Sequence, residues 1–237
     1  MIHAALRGDH HVHSTFSDDA VSTLAQNVEA ASAAGLTTLR LVDHVRQSTT
    51  WVPEYLAAVR ALRVPEGLTV LTGVEAKILD VTGALDIPLL PTGIDRILIA
   101  DHQFPGAEGP LSPAVVRERI AEGWATDDVL DQFVDALIAS MRRYPGNQLA
   151  HCFSILPKIG LSEEELGAQR TSAWVRAAID TDTLVEVNEK WGCPGVEALS
   201  ALSRAGGVIV ASTDSHDAAE VGRYSRVVPL LDQVEAS

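Results

Sequence analysis

Cysteine, aromatic residues and positive charge are all scarce in this sequence, and each scarcity argues against a class of protein. The two cysteines, Cys152 and Cys193, have no C-x-x-C spacing, so neither a disulfide framework nor a thiolate zinc site is indicated, and a reduced cytoplasm fits best. With 18 Lys and Arg against 32 Asp and Glu, the formal net charge is −14, which argues against binding duplex nucleic acid by phosphate neutralisation. Aromatic residues make up only 5% of the chain, which offers little to a single-strand binder beyond short substrates.

Long apolar runs are also lacking. No run approaches the length that crosses a bilayer, and the first residues have no apolar signal region, so we expect a soluble cytoplasmic protein without a membrane partner. The hydrophobic fraction of 46% is nevertheless enough for a substantial core, and no linker or shift in composition divides the chain. The sequence therefore predicts one domain over residues 1–237 and leaves the oligomeric state open.

Short apolar segments alternate with helical ones along the chain. After an opening strand around residues 9–13, strands are predicted at 38–42, 68–75, 95–100, 148–153, 183–187 and 208–212. This alternation predicts a parallel sheet flanked by helices. Polar residues follow nearly every strand, which favours a closed barrel of about seven strands over an open sheet with its site at one switch point.

Two intervening segments are distinctive. Residues 129–143 carry apolar side chains at helical spacing, and Asp127 or Asp128 is predicted to cap this helix. Residues 103–113 are rich in Pro and Gly and are predicted to form a long loop near a strand end, where a substrate contact or lid is common.

The opening strand carries two histidines on one face. Side chains alternate along a strand, so His11 and His13 share a side with Asp9. Such a pair taken alone is more often a polar strand end than a metal site. Collected over all strands, however, the strand-end residues include six of the eight histidines: His11, His13, Asp18, His44, Glu75, His102, His151, Asp214 and His216. Imidazole and carboxylate without thiolate suit zinc, iron or manganese, and this set exceeds what one ion uses, so two or three metal ions are implied.

These motifs resemble those of the PHP-domain (polymerase and histidinol phosphatase) phosphoesterases. The opening H-x-H and S-D of that family are matched by His11, His13, Ser17 and Asp18. Its T-D-H element resembles 42–44, its G-x-E element is 73–75, and its closing D-x-H is 214–216. Single histidines between them are matched by His102 and His151. The match follows the family's order over almost the whole chain.

The resemblance implies a distorted (β/α)7 TIM-like barrel with a trinuclear centre in which Glu75 bridges two metals. The implied ligand sets are as follows: His11, His13, Glu75 and Asp214; Glu75, His102 and His151; and Asp18, His44 and His216. Asp19 stands where the family usually has glycine, so either Asp18 or Asp19 is open as the third carboxylate.

The resemblance further implies a metal-dependent phosphoric ester hydrolase acting on a small phosphate monoester, histidinol phosphate among the candidates, with a metal-activated hydroxide attacking phosphorus. Catalysis is assigned to His11, His13, Glu75, Asp214 and His216. Three other readings stay open: a nucleotide or short-oligonucleotide phosphoesterase, a metal-dependent amide or ester hydrolase, and a barrel that keeps metal only as a scaffold.

Residues outside the ligand set carry weaker signals. Four basic residues near strand ends are candidates for binding phosphate: Arg46, Lys158, Lys190 and Arg223. Asp9 is either an orienting partner of an imidazole or a solvated strand-end carboxylate. Trp191 either stacks on a substrate or packs in the core, and Cys152 is expected to point away from the site if His151 points into it.

Overall fold

Seven parallel strands build the centre of the computed structural model, which describes residues 2–237. The nine strands, in chain order, are β1 (Gly8–Val12), β2 (Thr38–His44), β3 (Thr69–Lys77), β4 (Arg96–Ala100), β5 (Phe104–Gly106), β6 (Gly109–Leu111), β7 (Gln148–Ala150), β8 (Leu184–Asn188) and β9 (Ile209–Ser212). Seven of them form one sheet in the order β1-β2-β3-β4-β7-β8-β9, with every neighbouring pair parallel. The other two, β5 and β6, form an antiparallel hairpin.

Helices connect the strands and cover the outside of the sheet. They are α1 (Leu24–Ala33), α2 (Val52–Arg60), α3 (Pro113–Ala121), α4 (Thr126–Arg143), α5 (Leu156–Ile159), α6 (Gly167–Asp180), α7 (Val196–Arg204) and α8 (Val227–Glu235). Short 3-10 helices occupy Ile2–Arg7, Glu163–Leu166 and Ala218–Glu220. Within residues 2–237, no helix combines the length and the apolar character needed to cross a membrane.

The sheet curls into a nearly closed barrel because its first and last strands meet. Val12 forms a parallel bridge with Ser215, and the His13 backbone N–H donates to the Ser215 carbonyl at 2.8 Å. The buried Asp9 carboxylate strengthens this seam by accepting hydrogen bonds from the backbone N–H and hydroxyl of Thr213 and from the N–H of Gly222. The predicted seven-stranded α/β barrel is confirmed.

Asp9 therefore has neither of the roles considered for it from the sequence. Its carboxylate is fully buried and bonded to the chain after β9, so it is not a solvated strand end. Among residues 2–237 it also makes no hydrogen bond or ion pair with an imidazole, and its weak bond to His11 is to the backbone N–H. Burial raises the pKa of Asp9 to about 6 even though these hydrogen bonds favour the ionised form.

Most of the apolar core lies between the sheet and the helices. The predicted apolar stripe of α4 packs there, with Phe133 and Met141 fully buried beside Trp174 of α6. Cys152 belongs to this outer core and points away from the barrel interior, as expected. Inside the barrel, a small cluster containing Val42 and Leu98 forms a floor, and Gly73 leaves room for it, since a Cβ there would lie 3.1 Å from both side chains.

Two local predictions were wrong. Helix α4 begins at Thr126 with Ala125 in the cap position, so Asp127 and Asp128 lie inside the first turn and do not cap it. Carboxylates are still favourable there because they face the positive end of the helix dipole. The predicted loop at 103–113 contains the β5–β6 hairpin, whose strands are only three residues long and too short to give a clear alternating pattern.

A half-buried carboxylate joins the segment before α6 to the start of α7. Glu163 accepts a hydrogen bond from the Gly195 N–H at 2.7 Å. Burial raises the pKa of this carboxyl from 4.5 to about 7. Because the folded pKa is the higher one, the folded state prefers the protonated form, and the cost of ionised Glu163 grows between pH 4.5 and 7 and persists above it.

We expect Glu163→Gln to stabilise the protein at pH 8, by up to about 3 kcal/mol, because the amide still accepts the Gly195 bond and carries no charge to bury. Near pH 5 the gain should largely vanish. Thermal unfolding at both pH values measures it, with exposed Glu164→Gln as the matched control. An equal effect of Glu163→Gln at both pH values would contradict the assignment.

Candidate metal centre

The carboxyl ends of the barrel strands bring the chemically capable side chains together. His44 ends β2, His11 and Glu75 lie near the ends of β1 and β3, and the others lie in the segments that follow a strand. Those that follow a strand are His13, His102, His151, Asp214 and His216. Parallel strands place such positions at one end of the barrel, which explains how residues spread over the whole sequence meet in one site.

Glu75 lies at the centre of this group. One carboxylate oxygen, Oε1, is 2.9 Å from His151 Nε2 and 3.1 Å from His102 Nε2. The other, Oε2, is 2.8 Å from His44 Nδ1. The Nε2 atoms of His11 and His13 are each 3.5 Å from Oε2. One buried carboxylate thus faces five imidazoles.

Asp214 completes the side of the site formed by the opening strand. Its Oδ1 lies 3.4 Å from His13 Nε2 and 3.9 Å from His11 Nε2. Its backbone has φ of 55°, in the left-handed region that residues other than glycine seldom adopt. The strained conformation is one that surrounding structure must hold in place.

The third part of the site contains Asp19. Its Oδ2 lies 3.4 Å from His44 Nε2 and 3.3 Å from His216 Nε2. Asp18 lines the same pocket, but within residues 2–237 it makes no ion pair with a histidine. Of the two carboxylates left open by the sequence, the structure brings Asp19 to the imidazoles.

These side chains fit metal ions. Three groups have ligand atoms that all lie within 4.8 Å of one another: His11, His13 and Asp214; His44, Glu75 and His102; and His13, His44 and His216. Glu75 Oε2 is buried without a hydrogen bond of acceptable geometry, although imidazole nitrogens surround it. A buried acceptor oxygen among converging ring nitrogen atoms is the arrangement that a shared cation satisfies.

Several histidines are oriented by a second buried group. Glu186 Oε2 lies 3.1 Å from His11 Nδ1, and Asp101 Oδ1 lies 3.1 Å from His151 Nδ1. Each contact directs the ring's Nε2 toward Glu75, as outer carboxylates do for metal-binding histidines. Ser17 Oγ lies 3.3 Å from His13 Nδ1 and donates to Asp43.

Glu186 and Asp101 were missed from the sequence. Glu186 lies inside the apolar strand β8, where its alternation with Asn188 was the only sign that it faces the barrel interior. Asp101 directly precedes His102, and only His102 was predicted as a site residue. Both are fully or almost fully buried.

The charges in the site favour ionised carboxylates. Burial alone would raise the pKa of Glu75, but His102, His11 and His44 hold it well below its ordinary value. For the imidazole of His151 burial alone would lower the pKa, but Asp101 and Glu75 raise it to about 10. For His13 the burial effect prevails and lowers the pKa to about 3. Ionised carboxylates and a neutral imidazole are the forms that bind cations.

The pocket above the site has a volume of about 380 Å³ and contains only some of the predicted basic residues. Arg46 and Lys190 line it, and so does Lys77, which the sequence analysis did not select. Lys158 is not in the lining but lies over the Trp191 ring, with Nζ 3.7 Å from the ring centroid. Arg223 is exposed outside the pocket.

Trp191 stands at the edge of this pocket, and 41% of its surface is exposed. It is therefore not a core residue, the second of the two roles considered for it. Its indole N–H donates to Asp214 Oδ2 at 2.9 Å.

Comparison with known proteins agrees with this architecture. The family model described as PHP domain matches residues 9–190. A probable phosphatase of Acetivibrio thermocellus is 30% identical over 96% of this chain and 86% of its own length, and one of Clostridium novyi is 25% identical over the same shares. The histidinol phosphate phosphatase of Lactococcus lactis, solved with zinc, L-histidinol and phosphate, superposes with a TM-score of 0.67 at 15% identity, covering 96% of this chain and 93% of that one.

The chain belongs to the PHP family. The full-length relatives are named phosphatases, and the enzyme class predicted from the sequence, a phosphoric ester hydrolase, is confirmed at this level.

We expect Glu186→Gln to lower both the stability of the protein and its affinity for metal. All contacts to this carboxylate come from donors, namely His11 Nδ1, the His151 N–H, Gln148 Nε2 and Asn188 Nδ2. The amide of Gln would turn an N–H toward one of these donors. We expect this to lower the free energy of unfolding by about 1–3 kcal/mol and the metal affinity by about 10–100-fold.

Urea unfolding and metal titration measure these two losses. The matched control is Glu197→Gln, an exposed residue in the first turn of α7. Wild-type stability and wild-type metal affinity in Glu186→Gln would show that Glu186 does not orient His11.

Proposed function

We propose that this PHP-family phosphatase hydrolyses a small phosphate monoester at a centre of two or three divalent transition-metal ions, zinc, manganese or iron. The observation that carries the proposal is the buried Glu75 carboxylate surrounded by five imidazoles, with one oxygen free of hydrogen bonds. Divalent ions bound there would lower the pKa of a water molecule and neutralise phosphoryl charge.

The ligand assignment follows from which atoms converge. His11, His13 and Asp214 would hold one ion, with Glu75 shared between it and a second ion at His102 and His151. His44 and His216 would hold a third together with Asp19, which replaces Asp18 in this proposal because its carboxylate lies within 3.4 Å of both rings.

The chain's own residues supply binding and orientation. Arg46, Lys77 and Lys190 line the pocket and offer positive charge to a phosphate in an otherwise acidic protein. Lys77 Nζ is 3.8 Å from Asp86 Oδ2 and Lys190 Nζ is 3.7 Å from Asp214 Oδ2, so both lysines are partly neutralised and Arg46 is the strongest of the three candidates. Glu186 and Asp101 keep the rings of His11 and His151 fixed while substrate enters.

The size of the pocket favours a small substrate. Its volume of about 380 Å³ is at the lower end of ordinary ligand sites. The structural relative was solved with L-histidinol and phosphate, which makes histidinol phosphate one candidate for this chain. Nucleotides and short oligonucleotides, and amide or ester substrates, are the alternatives that a screen distinguishes.

A screen for phosphate release tests the function. We expect the metal-loaded protein to release phosphate from one or more of sugar phosphates, amino-alcohol phosphates and nucleotides. His11→Ala and Asp214→Asn should abolish release while the circular dichroism spectrum stays native, because each removes an atom of the converging group. His10→Gln is the matched control, since His10 lies beside Thr38 at the other end of the barrel.

Activity on an amide or lactone with none on any phosphate ester would overturn the phosphatase assignment. Unchanged turnover in His11→Ala and Asp214→Asn would show that the reaction takes place elsewhere in the molecule.

Asp19 and Asp18 give a paired test of the third ion. We expect Asp19→Ala to lose about one bound ion per chain, because His44 and His216 then lack their carboxylate partner. Asp18→Ala should keep the wild-type metal content. Elemental analysis after dialysis measures both, and loss of metal in Asp18→Ala but not in Asp19→Ala would reverse the assignment.

A further inference from the structure

Asp214 uses its two carboxylate oxygens on opposite sides. Oδ1 faces the Nε2 atoms of His13 and His11, at 3.4 and 3.9 Å. Oδ2 faces away from them and accepts the indole N–H of Trp191 at 2.9 Å. The residue thus has one oxygen directed to the proposed metal position and one directed to a fixed donor.

Trp191 is connected through its backbone to the buried side chains of the site. Its backbone N–H donates to Asn188 Oδ1 at 3.0 Å, and Asn188 Nδ2 donates to Glu186 Oε1 at 2.8 Å. Glu186 in turn orients His11. The backbone that carries the indole is therefore tied to the same buried network that orients His11.

A cation lies against the indole. Lys158 Nζ is 3.7 Å from the centroid of the Trp191 ring, within the range of a cation–π contact. Positive charge over the ring draws electron density from it and makes the N–H a better donor. Lys190 lies nearer the carboxylate, but its Nζ is 3.7 Å from Asp214 Oδ2 and its side chain is 45% exposed, so this ion pair is weak and screened.

Asp214 needs such support. Its φ of 55° places a residue with a Cβ in the left-handed region, which is energetically unfavourable. The hydrogen bond from the indole N–H offsets this cost and selects one rotation of the carboxylate. Without it, Oδ2 could compete with Oδ1 for the position facing the histidines.

We propose that Trp191 is a positioning residue for the metal centre: its indole N–H occupies Asp214 Oδ2 and leaves Oδ1 as the only oxygen of Asp214 available to the ion held with His11 and His13. This inference rests on the proposed metal site. It goes beyond it by giving a role to an aromatic residue at the pocket edge and, through the cation–π contact, to Lys158.

Zinc titration of the metal-free protein against a competing chelator is the first test. We expect Trp191→Phe, which keeps the ring and removes the donor, to bind one zinc equivalent about 10–100-fold more weakly while the others are unchanged. Lys158→Met should weaken the same equivalent by a smaller factor. The matched control is Trp124→Phe, at a partly buried tryptophan that packs on Phe104 outside the site.

The indole resonances of nitrogen-15-labelled protein give a second readout that needs no activity. Trp191→Phe identifies the Trp191 signal among those of the four tryptophans. We expect zinc loading to shift this signal more than that of Trp124, and Asp214→Asn to move it in the metal-free protein.

The inference would be overturned if Trp191→Phe bound zinc with wild-type affinity, or if Trp124→Phe lost as much affinity. It would also be overturned if the Trp191 signal did not change on zinc loading or in Asp214→Asn. A wild-type protein that binds no zinc, manganese or iron would overturn the proposed function itself. If Trp191→Phe loses one zinc equivalent and keeps the others, the result tests the inference separately from the proposed function.

Discussion

The buried Glu75 carboxylate is the constraint on which the site depends. A carboxylate without water is costly unless opposite charges or donors surround it, and here five imidazoles do so from four different strands or the segments that follow them. The imidazoles need partners of their own, and Glu186 and Asp101 provide them for two rings. The charged side chains of the barrel interior thus surround the two oxygens of Glu75, and most of the apolar core lies between the sheet and the helices.

Metal ions in the proposed centre would couple metal binding to folding stability. The carboxylates crowd negative charge around the imidazoles, and one oxygen of Glu75 has no hydrogen bond. Ions that bind only the folded chain stabilise it by mass action. With metal bound in the proposed centre, the stability of the protein and its metal content would be linked, and a substitution that affects one is expected to affect the other.

The sequence was sufficient for the barrel and for most of the converging residues, because both leave local signals. Strands such as 208–212 are short apolar runs, and polar residues at their ends mark the open face of a parallel barrel. The sequence gives almost no sign of the role of Glu186, because it is a single carboxylate inside an apolar strand. Its partner His11 lies on a strand far away in the sequence and approaches it only in the closed barrel. The choice between Asp18 and Asp19 depended on the direction of a turn, and Arg223 follows the last strand in sequence yet lies outside the pocket.

The seam between β1 and β9 also orders the events of folding. The Asp9 carboxylate bonds to Thr213, 204 positions further along the chain, and Asp214 comes from that same closing segment. Contacts of such long sequence separation form late because the loop that they close is entropically costly. The first two histidines, which Glu75 also faces, therefore meet Asp214 only when this late contact has formed, and the complete centre marks a molecule whose barrel has closed.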